Sequence, residues 1–457
     1  MDKIAFGTDG WRATLDVFTD ERVRIVGEAV ATYLEEEGYT DPVIIGYDAR
    51  ETSPGFAESL AEIMAGHGFD VLLPERDCPT PVIAYAIVNR GLSCALMVTA
   101  SHNPPEYNGV KFIPEDGAPA LPERTEKIVE NLAEPDLLPE DEWGEIKAVD
   151  PIPDHADHAR ELVDADLSGV TVVYDAIYGS GQGVTDALLE AAGAEVIRRR
   201  CEKDPAFGGG SPEPSPENLQ ELADAVEKHD SDLGIANDGD SDRIAICTPD
   251  RGYLDENLFF AAAYDYLLES ESGPAVRSVS TTFLIDRIAE ANGEEVVEVP
   301  VGFKWVGKAM GETDALIGGE ESGGFSIRGH IREKDGVLMA LLAGAVTADE
   351  PLDDRVDRLL AEHGEIHASK RSVECADDQK ERVLSDLEDH IPESVAGSAV
   401  ANTVTLDGFK LLLEDGSWLL IRPSGTEPKL RVYGEAGSED RLETLLEEGV
   451  DLVEPLV

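Results

Sequence analysis

A chain of 457 residues exceeds what one hydrophobic core sustains, so roughly three or four domains are expected. Its hydrophobic content of 42% is ample for such cores, and no apolar run approaches the roughly 18 residues that span a bilayer. Asp and Glu total 95 against 37 Lys and Arg, and the resulting net charge of -58 repels nucleic acid phosphates and anionic membranes.

The acidic excess is spread along the chain and also repels itself, a repulsion that salt screens. The expected setting is the salt-rich cytoplasm of a halophile, with stability falling in dilute buffer. The start, MDKIAFGTDGW, lacks the charged stretch and apolar run of a secretory signal. Five cysteines, Cys78, Cys94, Cys201, Cys247 and Cys375, are odd in number and form no CxxC pair. Buried structural thiols are expected, without a disulfide framework or a cysteine zinc site.

In chain order, PVIIGYD (42–48) reads as a strand and SPGFAESLAEIMAGHG (53–68) as a helix with Ser53 as N-cap and Pro54 in the first turn. DVLL (70–73), TPVIAYAIVNRG (80–91) and CALMVT (94–99) continue as strand, helix, strand. Short apolar runs separated by helices predict parallel strands covered on both faces. The pattern returns with VTVVYDA (170–176), GQGVTDALLEAAG (181–193), AEVIRR (194–199), PENLQELADAVEKH (216–229), DLGIAN (232–237) and RIAICT (243–248). A third unit runs from ENLFFAAAYDYLLES (256–270) through the strands 275–282, 295–300 and 315–320 to the helix GVLMALLAGAVTAD (336–349). Beyond about residue 370 the strands look antiparallel, with EDG as a hairpin signal, and a terminal helix closes the chain. The Pro/Asp-rich stretches 150–158 and 347–354 read as linkers.

Four stretches carry chemistry. In LMVTASHNPPEYNGVKF (96–112), Ser101 directly follows a strand, where open α/β folds place catalytic groups. Pro104 and Pro105 block helix propagation and keep the hydroxyl on a fixed loop. His102 can handle a proton or a phosphate charge, and Lys111 can return toward the loop. A surface turn is the competing reading. In NDGDSDRIAI (237–246), Asp238, Asp240 and Asp242 lie between two strands and repel one another unless a cation neutralises them. Hard oxygen ligands indicate Mg²⁺, Mn²⁺ or Ca²⁺. An EF-hand loop is excluded, because its sixth and twelfth positions are Arg243 and Pro249. A solvated acidic turn is the competitor; Arg243 and the flanking apolar strands favour metal. GGEESGGF (318–325) offers Glu320 and Ser322 to sugar hydroxyls between permissive glycines. RPSGTEPKLRVY (422–433) gathers Arg422, Ser424, Thr426 and the amides near Gly425 into a concavity suited to a phosphate dianion. Nucleophile, metal, hydroxyl reader and phosphate clamp together are the parts of phosphoryl transfer.

The strings FGTDGWR, TASHNP, DGDSDR, GGEESGG and RPSGTEPKLRVY, in that order over nearly the whole chain, resemble the α-D-phosphohexomutase superfamily. The resemblance implies three similar mixed α/β domains and an α+β, TBP-like C-terminal domain around a central cleft, taken here as 1–150, 151–253, 254–368 and 369–457. It implies one Mg²⁺ per chain, held by Asp238, Asp240, Asp242 and the Ser101 oxygen. Ser101 would be the phosphoserine, Arg12 would approach it, and His102 and Lys111 would be the acid/base pair, Lys111 suiting the base better. Arg243 would steady the metal loop on the substrate side, Lys304, Glu320, Ser322, His330 and Lys334 would meet the sugar, and Arg422, Ser424, Gly425 and Thr426 would hold the non-reacting phosphate. The implied reaction interconverts hexose 1-phosphate and hexose 6-phosphate through a hexose 1,6-bisphosphate, with glucose 1,6-bisphosphate as activator. GGEESGGF followed by GHIREKDGV (329–337) looks more like phosphoglucomutases than phosphoglucosamine mutases, and phosphomannomutases share much of it. The partners expected are small hexose phosphates, with neither nucleic acid nor membrane, in a monomer or homodimer. The rivals are a metal-dependent sugar-phosphate phosphatase and a non-catalytic acidic metal-binding protein.

Overall fold

The computed structural model describes residues 4, 10–388, 390–425 and 427–457. Its strands form four sheets. In the first, Val43–Tyr47 lies parallel to Val71–Pro74 on one side and to Cys94–Val98 on the other. All five residues of both Val43–Tyr47 and Cys94–Val98 are buried, which is why their sequences are unbroken apolar runs and do not alternate. The sheet is not all parallel. Tyr107–Pro114 returns antiparallel to Cys94–Val98, and Trp11–Thr14 pairs antiparallel on its far side. That return follows from the loop between: with only 99–106 to connect the strands there is no room for a crossover helix.

The second sheet pairs Thr171–Asp175 in parallel with Glu195–Arg199 and Leu233–Asn237, and ends in the antiparallel strands Ile244–Thr248 and Gly252–Leu254. The third has Ala275–Ser278 at its centre, parallel to Val296–Val299 and Ile317–Gly319, with Phe325–Ile327 antiparallel at the edge. The helix Gly336–Asp349 is buried along twelve of its residues, Gly336 to Thr347, and packs in one core shared by the second and third sheets. A helix apolar all round belongs in such an interior. The fourth sheet is antiparallel throughout, and Leu445 and Leu446 of the helix Glu439–Val453 pack in its core. No helix among the described residues is long and apolar enough to cross a membrane.

Two expected linkers are helical instead. The stretch 150–158 enters the helix Ile152–Val163, because proline in a first turn forfeits no hydrogen bond. The stretch 347–354 is the end of Gly336–Asp349 and the start of Leu352–His363, broken only at Glu350 and Pro351. The helix expected from 216 begins at Gln220. The preceding turn is held by Asn218, whose side-chain nitrogen donates to the Glu213 carbonyl at 2.8 Å.

Candidate active site

The strand Cys94–Val98 delivers Ser101 to the site, and the antiparallel return sets Lys111 opposite Met97. Ser101 is buried and in the left-handed region, with φ 51°. Its hydroxyl donates to Asp238 Oδ2 at 2.8 Å, and its amide donates to Thr99 Oγ1 at 2.8 Å. Between Ser101 and Lys111 the chain turns twice, through bonds from Asn103 N to Ala100 O and from Tyr107 N to Pro104 O, both 3.0 Å.

The carboxylate hairpin comes from the second sheet. Asn237 fixes its base: Oδ1 accepts from Tyr174 and Thr185, and Nδ2 donates to the Arg243 carbonyl at 2.8 Å. Asp238, Asp240 and Asp242 are buried, and one oxygen from each lies within 4.8 Å of the others. Asp240 Oδ2 accepts from Thr80 Oγ1 at 2.6 Å and Lys111 Nζ at 2.9 Å; Asp242 Oδ2 accepts from Lys111 Nζ at 2.7 Å. Lys334 Nζ stands 3.4 Å from the same Asp242 oxygen. Gly239 permits this meeting of two loops, since a Cβ there would lie 2.6 Å from the Ser101 carbonyl oxygen.

Burial, then Asp240 and Asp242, push the Asp238 carboxyl well above its usual range. For Asp242 burial also raises it, but Lys111, Lys334 and Arg243 outweigh burial and hold it well below the usual range. Oδ1 of Asp240 and Oδ1 of Asp242 are buried without a hydrogen-bond partner. Unmatched oxygens in a buried three-carboxylate cluster suit a hard divalent cation.

The other expected residues are distributed as follows. Burial and the positive charges of Arg243, Arg12 and Lys111 push His102 down to about 2, against Asp242, so its ring is neutral at ordinary pH. Arg12 lies in the edge strand opposite Gly109. The Arg243 amide donates to Asp238 Oδ1 at 3.3 Å, and its Nε stands 3.9 Å from Asp242 Oδ1. Glu320 Oε1 accepts from the Gly302 amide at 2.7 Å, and burial with the neighbouring Glu321 raises its carboxyl to about 7. Ser322 is half-buried beside them. Lys304 lies in the first turn of the helix Phe303–Thr313, its ammonium 5.8 Å from the Trp305 ring centroid. Lys334 donates to Glu333 Oε1 at 2.7 Å. In the fourth sheet Arg422 Nε donates to Asp407 at 2.9 Å, Ser424 Oγ accepts from the Glu427 amide at 3.2 Å, and Gly425 is exposed. Thr426 and the start of FGTDGWR lie outside the described residues.

His330 makes its contacts with other side chains. The resemblance sets it against the sugar, yet both ring nitrogens are engaged elsewhere. Nε2 meets Asp335 Oδ2 at 2.8 Å, and Nδ1 meets His158 at 3.1 Å. Asp335 Oδ2 also takes His155 Nε2 at 2.6 Å, while its Oδ1 caps the helix Gly336–Asp349 through the Val337 and Leu338 amides. No local signal reveals this, because His155 and His158 fall in a stretch that reads as a linker. Asp48, Arg50, Thr80 and Thr99 also escape the sequence reading. Their one signal is position: Asp48 directly follows the strand Val43–Tyr47, and Thr80 begins the helix Thr80–Arg90.

The comparisons with known proteins give the family. Four successive segments match phosphoglucomutase/phosphomannomutase domains: the α/β/α domains I (3–138), II (153–252) and III (255–363), and the C-terminal domain (373–452). The chain belongs to the phosphoglucomutase/phosphomannomutase family, whose members are phosphohexomutases, isomerases that move a phosphoryl group within the substrate. A relative from Methanopyrus kandleri, "Probable phosphoglucosamine mutase", is 34% identical over 98% of this chain and 97% of its own. A Thermococcus kodakarensis "Phosphopentomutase" is 33% identical over 99% and 98%. A crystal structure of a Thermus thermophilus protein assigned as a phosphomannomutase superposes with a TM-score of 0.86, at 29% identity over 99% of both chains.

Proposed function

We propose that this chain interconverts hexose 1-phosphate and hexose 6-phosphate, with glucose favoured, and that Ser101 carries the phosphoryl group. The observation that carries the reading is the 2.8 Å bond from Ser101 Oγ to Asp238, beside a lysine shared by Asp240 and Asp242. A nucleophile buried among acids and one ammonium suits a group that gives up and regains a phosphoryl.

In the forward step the Ser101 O–P bond breaks and an O–P bond forms to the free sugar hydroxyl, giving a hexose 1,6-bisphosphate. The hydroxyl proton ends on the Ser101 oxygen. His102, held down to about 2, is too weak a base to take it; the Lys111 ammonium can instead give a proton to the leaving Ser101 oxygen and be restored by the hydroxyl's proton. The bisphosphate reverses in the cleft and returns its other phosphate to Ser101. Free glucose 1,6-bisphosphate therefore activates the enzyme by charging Ser101. Asp238, Asp240, Asp242 and the Ser101 oxygen would hold a Mg²⁺ ion, which would supply charge neutralisation. Glu320 and Ser322 read sugar hydroxyls, with Lys304 and Lys334 alongside. Arg422, Ser424, Gly425 and Thr426 hold the phosphate that is not reacting. That clamp must accept either phosphate, so the C-terminal domain is expected to move during the cycle. The net charge of -58 argues for a salt-rich working environment.

The Methanopyrus relative's name favours a second reading, glucosamine phosphate as substrate. One assay separates them: glucose, mannose, glucosamine and pentose 1-phosphates compared in molar KCl with Mg²⁺ and catalytic bisphosphate. The expected order puts glucose 1-phosphate first in kcat/KM, with no net release of phosphate. Preference for glucosamine or pentose phosphate would replace the substrate assignment. Steady phosphate release would replace the mutase with a phosphatase.

A further inference from the structure

Ser101 holds a left-handed backbone, φ 51°. Such a conformation is disfavoured for a residue with a side chain and persists only where the surroundings impose it. One buried side chain holds much of the loop that carries it. Arg50 is 2% exposed and belongs to the loop after the neighbouring parallel strand. Its Nη2 donates to the carbonyls of Ser101 at 2.7 Å and Asn103 at 2.6 Å. Its Nη1 donates to Pro104 O at 2.7 Å and Tyr107 O at 3.2 Å, and Nε donates to Asp48 Oδ2 at 2.9 Å. The planar fork thereby commits every N–H it has to one loop and one carboxylate.

Asp48 completes the circuit. Its Oδ2 also accepts from Thr99 Oγ1 at 2.8 Å, and that hydroxyl oxygen accepts the Ser101 amide. Its Oδ1 accepts from Ser53 Oγ at 2.6 Å. Both backbone polar groups of Ser101 thus end in the Asp48–Arg50 pair, the carbonyl directly and the amide through Thr99. The segment before the carboxylate hairpin covers the pair from outside: the Phe207 ring centroid lies 5.0 Å from the guanidinium carbon, and Ser211 donates to the His102 carbonyl.

We infer that Arg50, buttressed by Asp48 and Thr99, is a positioning residue that casts the 101–107 loop so that the Ser101 oxygen faces Asp238. The inference rests on the reading of Ser101 as phosphoryl carrier. Arg50 touches no reacting atom. It acts by fixing where the serine oxygen stands, and a displacement of about 1 Å there costs about 100-fold in rate.

The test is Arg50→Lys in the full chain, assayed in molar KCl with Mg²⁺ and bisphosphate. Lysine keeps a positive charge beside Asp48, but its three protons on one atom cannot serve four carbonyls and a carboxylate. The expected result is a kcat lower by about 100-fold with KM for glucose 1-phosphate within about 3-fold, in a protein that melts cooperatively. Thr99→Val, which removes only the relay hydroxyl, should lower kcat by about 10-fold with KM again unmoved. A folded Arg50→Lys with kcat near that of the unaltered protein, or with its loss entirely in KM, overturns the inference. If Arg50→Lys does not fold, Thr99→Val decides alone, and near-normal kcat there overturns it. Turnover in Ser101→Ala, run alongside, would instead refute the carrier reading.

Discussion

Ser101→Ala is expected to lower mutase kcat by about 10⁴-fold or more while leaving the fold intact. The change removes one oxygen from a buried position and leaves the local backbone problem unchanged, since alanine bears a Cβ like serine and meets the same penalty at φ 51°. The amide bond to Thr99 and the carbonyl bonds to Arg50 survive, because they belong to the main chain. What is lost is the bond from the hydroxyl to Asp238 and, on the proposed mechanism, the only atom able to carry the phosphoryl group. Asp238 already sits well above its usual range through burial and its two acidic neighbours, so losing one donor makes its ionisation harder still. The folding cost expected is about 1 kcal/mol for one lost hydrogen bond. A melting curve in molar KCl together with a coupled mutase assay checks both halves. Loss of folding would make the kinetics uninformative about chemistry, whereas a folded variant with near-normal turnover removes Ser101 from the mechanism.

Removal of divalent cations is expected to have the second largest effect. Three buried carboxylates crowd within 4.8 Å, and two of their oxygens, Asp240 Oδ1 and Asp242 Oδ1, have no hydrogen-bond partner. Lys111 and Lys334 offset part of that charge, but they approach from the Oδ2 side of Asp242. A chelator should therefore abolish turnover, and added Mg²⁺ should restore it. It should also lower the melting temperature, since ligand at roughly 100 times its Kd stabilises the native state by about 2.7 kcal/mol. Asp240→Asn keeps the size of the side chain and removes its charge. It should raise the Mg²⁺ concentration for half-maximal activity by about 10-fold or more. Full turnover after exhaustive chelation would exclude the cation from the reaction.

How much of the site is legible in the sequence depends on the range of the contact. The loop after Cys94–Val98 is legible because a strand, two prolines and an Asn-Gly pair are local facts. The carboxylate hairpin is legible for the same reason: three acids at alternate positions between two apolar strands repel one another wherever they lie. Arg50 is not legible. Its carbonyl partners lie 51 to 57 residues away in sequence, and DAR is an unremarkable tripeptide until the sheet order sets two loops side by side. The His155–Asp335–His330 cluster fails in the opposite direction. GHIREKDGV suggests ligand binding, but Asp335 is a helix cap whose second oxygen gathers two imidazoles across 180 residues of chain. Proline-rich composition at 150–158 suggests a linker because proline in a first helical turn leaves the same compositional trace as proline in a loop.

The central claim is that the phosphoryl group passes through the oxygen of Ser101. Incubating the Mg²⁺-loaded protein in molar KCl with hexose 1,6-bisphosphate labelled at phosphorus, then digesting it and locating the label by mass, tests that claim without depending on any substitution. The label should appear on the peptide containing Ser101 and nowhere else, and a chase of unlabelled hexose monophosphate should carry it away as bisphosphate. Label released as inorganic phosphate, or found on a peptide lacking Ser101, would contradict the account.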